Sequence, residues 1–351
     1  MANNLVDGHK LMYHPERVSE WLEKGDCFPI YVEIGPTGKC NHRCVFCAVD
    51  WLKYGGASIG KEIMFRTLED LAQSGVKSVM FAGEGEPLLH RDISEFVNRA
   101  SNNNLSVAIT TNGVLFDKEM AESCLPKLSW IRFSVDAGTP EIYALVHGTK
   151  TKDFDRVIQN IIDAVDVKKR FGLSVDIDVQ ALLIPESANG IEKLASLIKN
   201  VGADSFQIKP YSQHPLSINR FVVDYRQYSA LEPILKQFES EKFKVWFRRA
   251  TMERLQEGAD YNCCHGLPFF SLIDSKGNVI PCNLFYNNPD FTYGNLYEKK
   301  FSEIWKGEKR QEVIKKLNKK GIKECRESCR LDVINRYLHK LENLTSNDNF
   351  I

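Results

Sequence analysis

Cys40, Cys44 and Cys47 stand in the stretch Gly35-Pro36-Thr37-Gly38-Lys39-Cys40-Asn41-His42-Arg43-Cys44-Val45-Phe46-Cys47. The spacing C-x3-C-x2-C brings three thiolates onto one short loop, close enough to hold three irons of a cubane cluster, and it supplies no fourth protein ligand. An open iron is what a redox-active, ligand-binding cluster needs. Zinc is the competing reading of three thiols, and it is weakened because structural zinc sites close with four ligands. A second group of thiols comes late: Cys263, Cys264, Cys282, Cys325 and Cys329. Two short predicted strands flank Asp274-Ser275-Lys276-Gly277, whose residue types turn a hairpin, so that a cysteine at each far end can face one metal. Cys325 and Cys329, read as the start of a helical tail, share a helix face at i and i+4. Zinc is the alternative there too. Cys27 and Cys124 stand alone and read as small buried hydrophobes.

Composition narrows the setting of these thiols. The chain of 351 residues has ten cysteines, and nothing near Met1-Ala2-Asn3-Asn4 reads as an export signal. A cytoplasmic, reducing compartment keeps such thiols free, which favours metal binding or catalysis over disulfides. With 46 basic and 46 acidic residues, no global field attracts nucleic acid or an anionic membrane. A hydrophobic content of 43% and a charged content of 26% are those of a soluble globular protein. No run of about 18 apolar residues predicts a membrane span. The expectation is a cytoplasmic protein with neither nucleic acid nor membrane as partner, built as one large domain and a smaller one.

The elements that must position the first cysteines follow from hydrophobic periodicity. A strand over 28–34 delivers the loop at its carboxyl end, and helices and strands then alternate to residue 209. Helices are predicted over 61–74, 93–102, from 117, over 140–146, 154–170 and 190–201, and strands over 76–82, 105–111, 130–135, 174–184 and 205–209. Six βα-type units predict an α/β protein, a partial (β/α)6 barrel rather than a complete eightfold one, with a small C-terminal α+β domain. Ligands bind at the carboxyl ends of parallel strands, and the residues there are chemically biased: Gly83-Glu84-Gly85-Glu86-Pro87, Thr110-Thr111-Asn112-Gly113, Ser134-Val135-Asp136 and Gln207-Ile208-Lys209-Pro210. Gly83 and Gly85 let backbone approach a ligand, and Glu84 or Glu86 can receive an ammonium group. Polar contacts to a substrate are expected from Gln207, Lys209, Tyr211 and His214. Residues 211–250 read as a bridge with a helix over 228–240 and a strand over 243–247. The tail over 309–344 reads as an amphipathic helix with a solvated lysine face, and 345–351 as frayed.

The cysteine loop after a first strand, Phe46 before its third cysteine, Gly85-Glu86-Pro87 after the second strand and Ser134-Val135-Asp136 after the fourth together resemble the radical S-adenosylmethionine superfamily over residues 28–210. The resemblance implies that Cys40, Cys44 and Cys47 hold a 4Fe-4S cluster whose free iron is chelated by the amino and carboxylate groups of S-adenosylmethionine. Reductive cleavage of that cofactor to a 5'-deoxyadenosyl radical, which takes hydrogen from substrate, is the implied activity. It further implies that Gly83, Glu84, Gly85, Glu86 and Pro87 contact the methionine amino group and that Ser134 and Asp136 lie near the ribose, with Asn112 at the neighbouring strand end. The family's glycine motif on the fifth strand has no counterpart in 179–185, so adenine contacts are unassigned.

Cys264, Gly277, Cys282, Gly294-Asn295-Leu296 and Phe301-Ser302-Glu303-Ile304-Trp305 are similar to the SPASM/twitch extension of such enzymes. No cysteine occurs between 283 and 324, which matches the shorter twitch form, with one auxiliary cluster held by Cys264, Cys282, Cys325 and Cys329. Cys263 is the alternative to Cys264. The implied divisions are an extension over 1–27, the barrel over 28–215, a bridge over 216–260 and the auxiliary domain over 261–345. The expected cofactors are two 4Fe-4S clusters and S-adenosylmethionine, and the expected reductant is a flavodoxin or ferredoxin. Dehydrogenation or epimerisation of a small polar metabolite of sugar or nucleotide type leads. Maturation of a ribosomally made peptide is the alternative, although residues 1–27 are too few for a peptide-recognition domain. A non-catalytic electron-transfer protein is the third reading, disfavoured by Glu84, Glu86, Ser134 and Asp136, which such a protein does not need.

Overall fold

A computed structural model describes residues 8–327 and 329–350; Met1-Ala2-Asn3-Asn4 and Ile351 lie outside them. Ten strands form one sheet: β1 (Tyr31–Ile34), β2 (Ser78–Phe81), β3 (Ser106–Thr111), β4 (Trp130–Ser134), β5 (Asp176–Leu183), β6 (Ser205–Pro210), β7 (Lys244–Phe247), β8 (Phe270–Ile273), β9 (Asn278–Ile280) and β10 (Gly294–Asn295). Their order is β10-β9-β8-β1-β2-β3-β4-β5-β6-β7, parallel from β8 through to β7, and the sheet does not close. This is the partial barrel expected from the alternating pattern. It reaches beyond six units on both sides: the strand read as part of a bridge pairs with β6 as β7, and the first strand of the C-terminal hairpin pairs with β1, Tyr31 opposite Phe270 and Ile34 opposite Ile273.

Period-two alternation explains both faces of the sheet. Val32 and Ile34, Phe81, Val107 and Ile109, Ile131 and Phe133, Ile177 and Val179, and Phe206 and Ile208 are buried in the main apolar core. The intervening residues, among them Glu33, Met80, Thr110, Arg132, Gln180, Gln207 and Lys209, line an internal cavity. Helices Lys61–Gln73, Ile93–Asn102, Lys118–Cys124, Pro140–His147, Lys152–Phe171 and Ile191–Val201 supply the outer layer. Their limits follow local chemistry: Asp117 accepts from Met120 N and Thr139 from Ile142 N at two starts, while Gly172 and Gly202 take left-handed conformations at two ends.

Three expectations change. The 228–240 helix contracts to Leu231–Lys236 after a short 3-10 turn at Tyr225–Tyr228. The tail is not one helix: Phe301–Lys306 ends at Gly307, Glu308–Lys320 stops at Gly321, whose φ of +69° no helix continues, and Asp332–Glu342 begins afterwards. Cys325 and Cys329 therefore sit in the irregular break rather than on one helix face. The terminal residues form a 3-10 turn, Ser346–Asn349, closed by reciprocal bonds between Thr345 and Asp348. Cys27 and Cys124 are buried packing residues as expected. A second core joins Leu11, Val18 and Trp21 of the N-terminal segment to Phe269 and Leu338.

Candidate functional site

The cysteine loop is held on several sides. Gly35 N donates to Ile273 O at 2.8 Å, Gly38 N to Ala57 O at 2.9 Å, Arg43 N to His147 O at 3.0 Å and Val45 N to Val146 O at 2.9 Å. Asp50, three residues past Cys47, accepts from the backbone of Ile218 and Asn219 and from the Ser217 hydroxyl, which fastens the 211–223 segment to the loop. All three thiols line a cavity of about 820 Å³ at the carboxyl ends of the strands. Burial pushes each thiol above its ordinary range, Cys40 to about 11. Deprotonation therefore needs a compensating cation, which an iron cluster provides and which a proton alone does not. The donor set fits a three-cysteine cluster site.

His147 was not legible in the sequence. Its Nδ1 lies 3.5 Å from Cys44 Sγ and its Nε2 3.2 Å from Asp136 Oδ2, with the ring stacked on Tyr143. Nitrogens of His42 and His147 and the Cys44 sulfur all fall within 4.8 Å of one another. Burial, with His147 close by, holds His42 down at about 4, so it is a neutral imidazole here.

Of the residues expected to contact the cofactor, Gly83, Gly85, Glu86, Asn112 and Ser134 line the cavity. Glu84, Pro87 and Asp136 stand outside that lining. The Glu84 carboxylate turns to the C-terminal hairpin and accepts from Ser275 N at 3.0 Å. Pro87 is buried at the start of a 3-10 turn. Asp136, 1% exposed, accepts from Leu182 N at 2.5 Å beside His147. Glu86 accepts from Thr111 Oγ1 at 2.6 Å, Asn112 N at 2.7 Å and Leu88 N at 3.1 Å, and burial still raises its carboxyl. It thus ties β2 to β3 as well as facing the cavity. Asn112 Nδ2 donates to Asn41 Oδ1 at 2.7 Å, linking that strand end to the cysteine loop.

The late thiols also converge. Cys264, Cys282, Cys325 and Cys329 line a second cavity of about 310 Å³. Cys264 Sγ accepts from Asn335 Nδ2 at 3.4 Å, and burial raises its thiol well above the ordinary range. Cys263 is absent from that lining; its sulfur lies 3.2 Å from His265 Nε2. Of the two adjacent cysteines, Cys264 faces this cavity. Four convergent thiols fit a closed cluster site with no open position.

The two cavities share a wall that includes Phe46, Leu182, Lys209, Arg248, Asn283 and Arg330. Asn283 follows Cys282 and Arg330 follows Cys329 in the chain. Of the expected substrate contacts, Gln207 lines the first cavity, Lys209 both, and Tyr211 the second. His214 lines neither. It stacks on Trp51 and sits 3.3 Å from Asn283 O, a strut between segments. Arg132, Gln180, Arg248 and Glu33 were missed because each lies in a stretch that reads as a plain strand or its end, and Arg330 because it lies in the tail that reads as an amphipathic helix.

A family model described as the radical SAM superfamily matches residues 34–198, and one described as an iron-sulfur cluster-binding domain, SPASM, matches residues 263–330. The chain is 27% identical over 216 residues to "Probable GTP 3',8-cyclase" of Methanosarcina acetivorans, covering 60% of this chain and 62% of that protein. Two further proteins of the same description are spanned over 42% and 45% of their length. It is 21% identical over 302 residues to the "Tungsten-containing aldehyde ferredoxin oxidoreductase cofactor-modifying protein" of Pyrococcus furiosus, covering 80% of this chain and 81% of that one. In fold it is similar to Streptococcus suis SuiB bound to S-adenosylmethionine, with a TM-score of 0.66 at 19% identity over 85% of this chain and 70% of the other. It is similar also to anSMEcpe with bound AdoMet, with a TM-score of 0.59 at 18% identity over 90% and 99%. Two thiol sites, the strand-end residues between them and both family matches lead to one conclusion: the chain carries a radical SAM domain over residues 34–198 and a SPASM-type iron–sulfur domain over residues 263–330, with S-adenosylmethionine and 4Fe-4S clusters as the cofactors these domains imply.

Proposed function

We propose that the chain is an oxidoreductase that removes hydrogen from a small polar metabolite seated at the wall between the two thiol sites, with dehydrogenation as the net outcome. The observation that carries this reading is that shared wall. A substrate against Lys209, Arg248 and Arg330 lies between the cysteine triplet and the four late cysteines. Cys40, Cys44 and Cys47 would hold the first cluster, and the backbone at Gly83 and Gly85 with Glu86, Asn112 and Ser134 would hold S-adenosylmethionine. Cys264, Cys282, Cys325 and Cys329 would hold the second cluster. When bound, the first pair supplies a hydrogen-abstracting carbon radical and the second cluster an electron acceptor.

The chain's own part is position and exclusion of water. Phe46, Leu182 and Phe270 supply apolar wall, while Lys10, Leu11 and His14 line the same cavity from the N-terminal segment. The same reading keeps the barrel at 28–215, the bridge at 216–260 and the auxiliary domain at 261–345. No helix of the described residues is long and apolar enough to cross a membrane.

The test is release of 5'-deoxyadenosine from S-adenosylmethionine by anaerobically iron-loaded protein with dithionite. Cys44→Ala is expected to abolish it, and no release from wild type would sink the proposal. Deuterium from heavy water at a carbon of recovered substrate, without net oxidation, would instead assign epimerisation.

A further inference from the structure

The inward faces of β4, β5 and β6 carry polar side chains that the fold leaves incompletely bonded. Register places Ser134 beside Gln180, Gln180 beside Gln207, and Leu182 beside Lys209, so they stand on adjacent strands of one wall. Arg132 is pinned from one side: its Nη2 donates to Asp178 Oδ2 at 3.3 Å, and its guanidinium lies 4.6 Å from the Trp130 ring centroid. Its Nε is buried without a hydrogen-bond partner. Gln180 donates through Nε2 to Ser134 Oγ at 2.8 Å, which fixes the amide and leaves Oε1 buried and unpaired.

The Lys209 amine has neither a hydrogen bond nor an ion pair among the described residues. The charges that bear on it most are those of Arg132, Arg248 and Arg330, with the Asp136 carboxylate acting in the opposite sense. Asp136 is turned to Leu182 N and His147, outside the cavity lining. Arg132 is offset by Asp178 and Arg330 by Glu33. The Lys209 amine is therefore left without a partner of its own and Arg132 keeps one orphaned donor, in a place where unpaired buried charge is costly.

We propose that Lys209, with Arg132 Nε, binds an anionic group of the substrate, a phosphate or a carboxylate; this rests on reading the cavity as the substrate site. An anion here relieves the repulsion among the cations and satisfies the orphaned donors at once. Burial and the neighbouring arginines hold the Lys209 amine down at about 7, so anion affinity falls as pH rises through that value. The carboxylate of S-adenosylmethionine offers the same chemistry and is the other source the test must separate.

Cluster-loaded full-length protein, kept anaerobic, is titrated by calorimetry with inorganic phosphate, pyrophosphate and oxalate, with and without saturating S-adenosylmethionine. At least one anion is expected to bind and to stay bound when the cofactor is added. Lys209→Met is expected to weaken it about tenfold or more, and Lys209→Arg to keep it within about threefold. Iron content and cofactor affinity of Lys209→Met are expected to match wild type, which separates the effect from misfolding. Absence of binding by all three anions, equal binding by Lys209→Met, or displacement of the anion by S-adenosylmethionine would each overturn the inference. Release of 5'-deoxyadenosine is measured on the same sample. Anion binding without release would retain this site and discard the proposed oxidoreductase, whereas release without anion binding would do the reverse.

Discussion

The carboxylates of Glu84 and Glu86 leave the same turn and hold different parts of the molecule. Glu86 secures the ends of β2 and β3, while Glu84 reaches to Ser275 in the turn between β8 and β9. Burial, with Asp274 adding to it, raises the Glu84 carboxyl to about 7, and the Ser275 and Lys276 contacts offset this only in part. Tyr286 faces the same group. From about pH 4.5 to 7 the folded protein keeps a proton that the unfolded chain has released, so this group's contribution is complete below that window and is lost as pH rises through it. Glu84→Gln stays neutral and can still accept from Ser275 N. Its stability relative to wild type is expected to grow across that window, by on the order of 2 kcal/mol, in urea denaturation at stepped pH. A relative stability that does not change between pH 4.5 and 8 would contradict the assignment. A motif gives residue types; which way the Glu84 carboxylate turned depended on a hairpin 191 residues later in the chain.

At the scale of elements, the glycine-glutamate turn and the cysteine loop are one unit. A Cβ at Gly85 would stand 2.3 Å from Thr37 O and 2.5 Å from Lys39 O, and Glu86 N already donates to Lys39 O at 2.8 Å. Glycine is needed there for close approach rather than for an unusual φ. Gly85→Ala is expected to displace the cysteine loop. The expected cost is about 1–3 kcal/mol of stability and several-fold of S-adenosylmethionine affinity, read by denaturation and by equilibrium titration. Unchanged cofactor affinity would show that the loop absorbs the methyl group. The strands and their flanking helices were legible because a two-residue period and a 3.6-residue period rarely mimic each other over these lengths. The C-terminal tail was misread for a definite reason: the lysine- and glutamate-rich pattern resumes after Gly321, and periodicity alone cannot register a break that the four-cysteine cavity requires.

At the scale of the whole molecule, the C-terminal region is an extension of the barrel sheet. β8 pairs along the full length of β1, so the strand that delivers the cysteine triplet is flanked by the hairpin leading to Cys282. Arg310 fastens the outside of this arrangement. Fully buried, it lies 3.8 Å from the Trp305 ring centroid and donates to both Asp26 oxygens at 2.7 Å. Arg310→Met keeps the apolar stem but strips Asp26, itself partly solvated, of its guanidinium partner and leaves it the bonds from Gln311 and Cys27 N. A loss of about 2 kcal/mol is expected in chemical denaturation, smaller than for a fully buried pair; an unchanged midpoint would refute the fastening role. The sequence by itself determined the cysteine triplet, the open coordination it implies, the parallel α/β alternation and the strand-end residues, because these depend on local spacing and period. Only the tertiary structure decided that Cys264 rather than Cys263 joins the late thiols, that Glu84 serves the hairpin, and that one cationic wall lies between the two sites. Those outcomes depend on which side chains long-range strand pairing brings together, and local periodicity carries no record of that pairing.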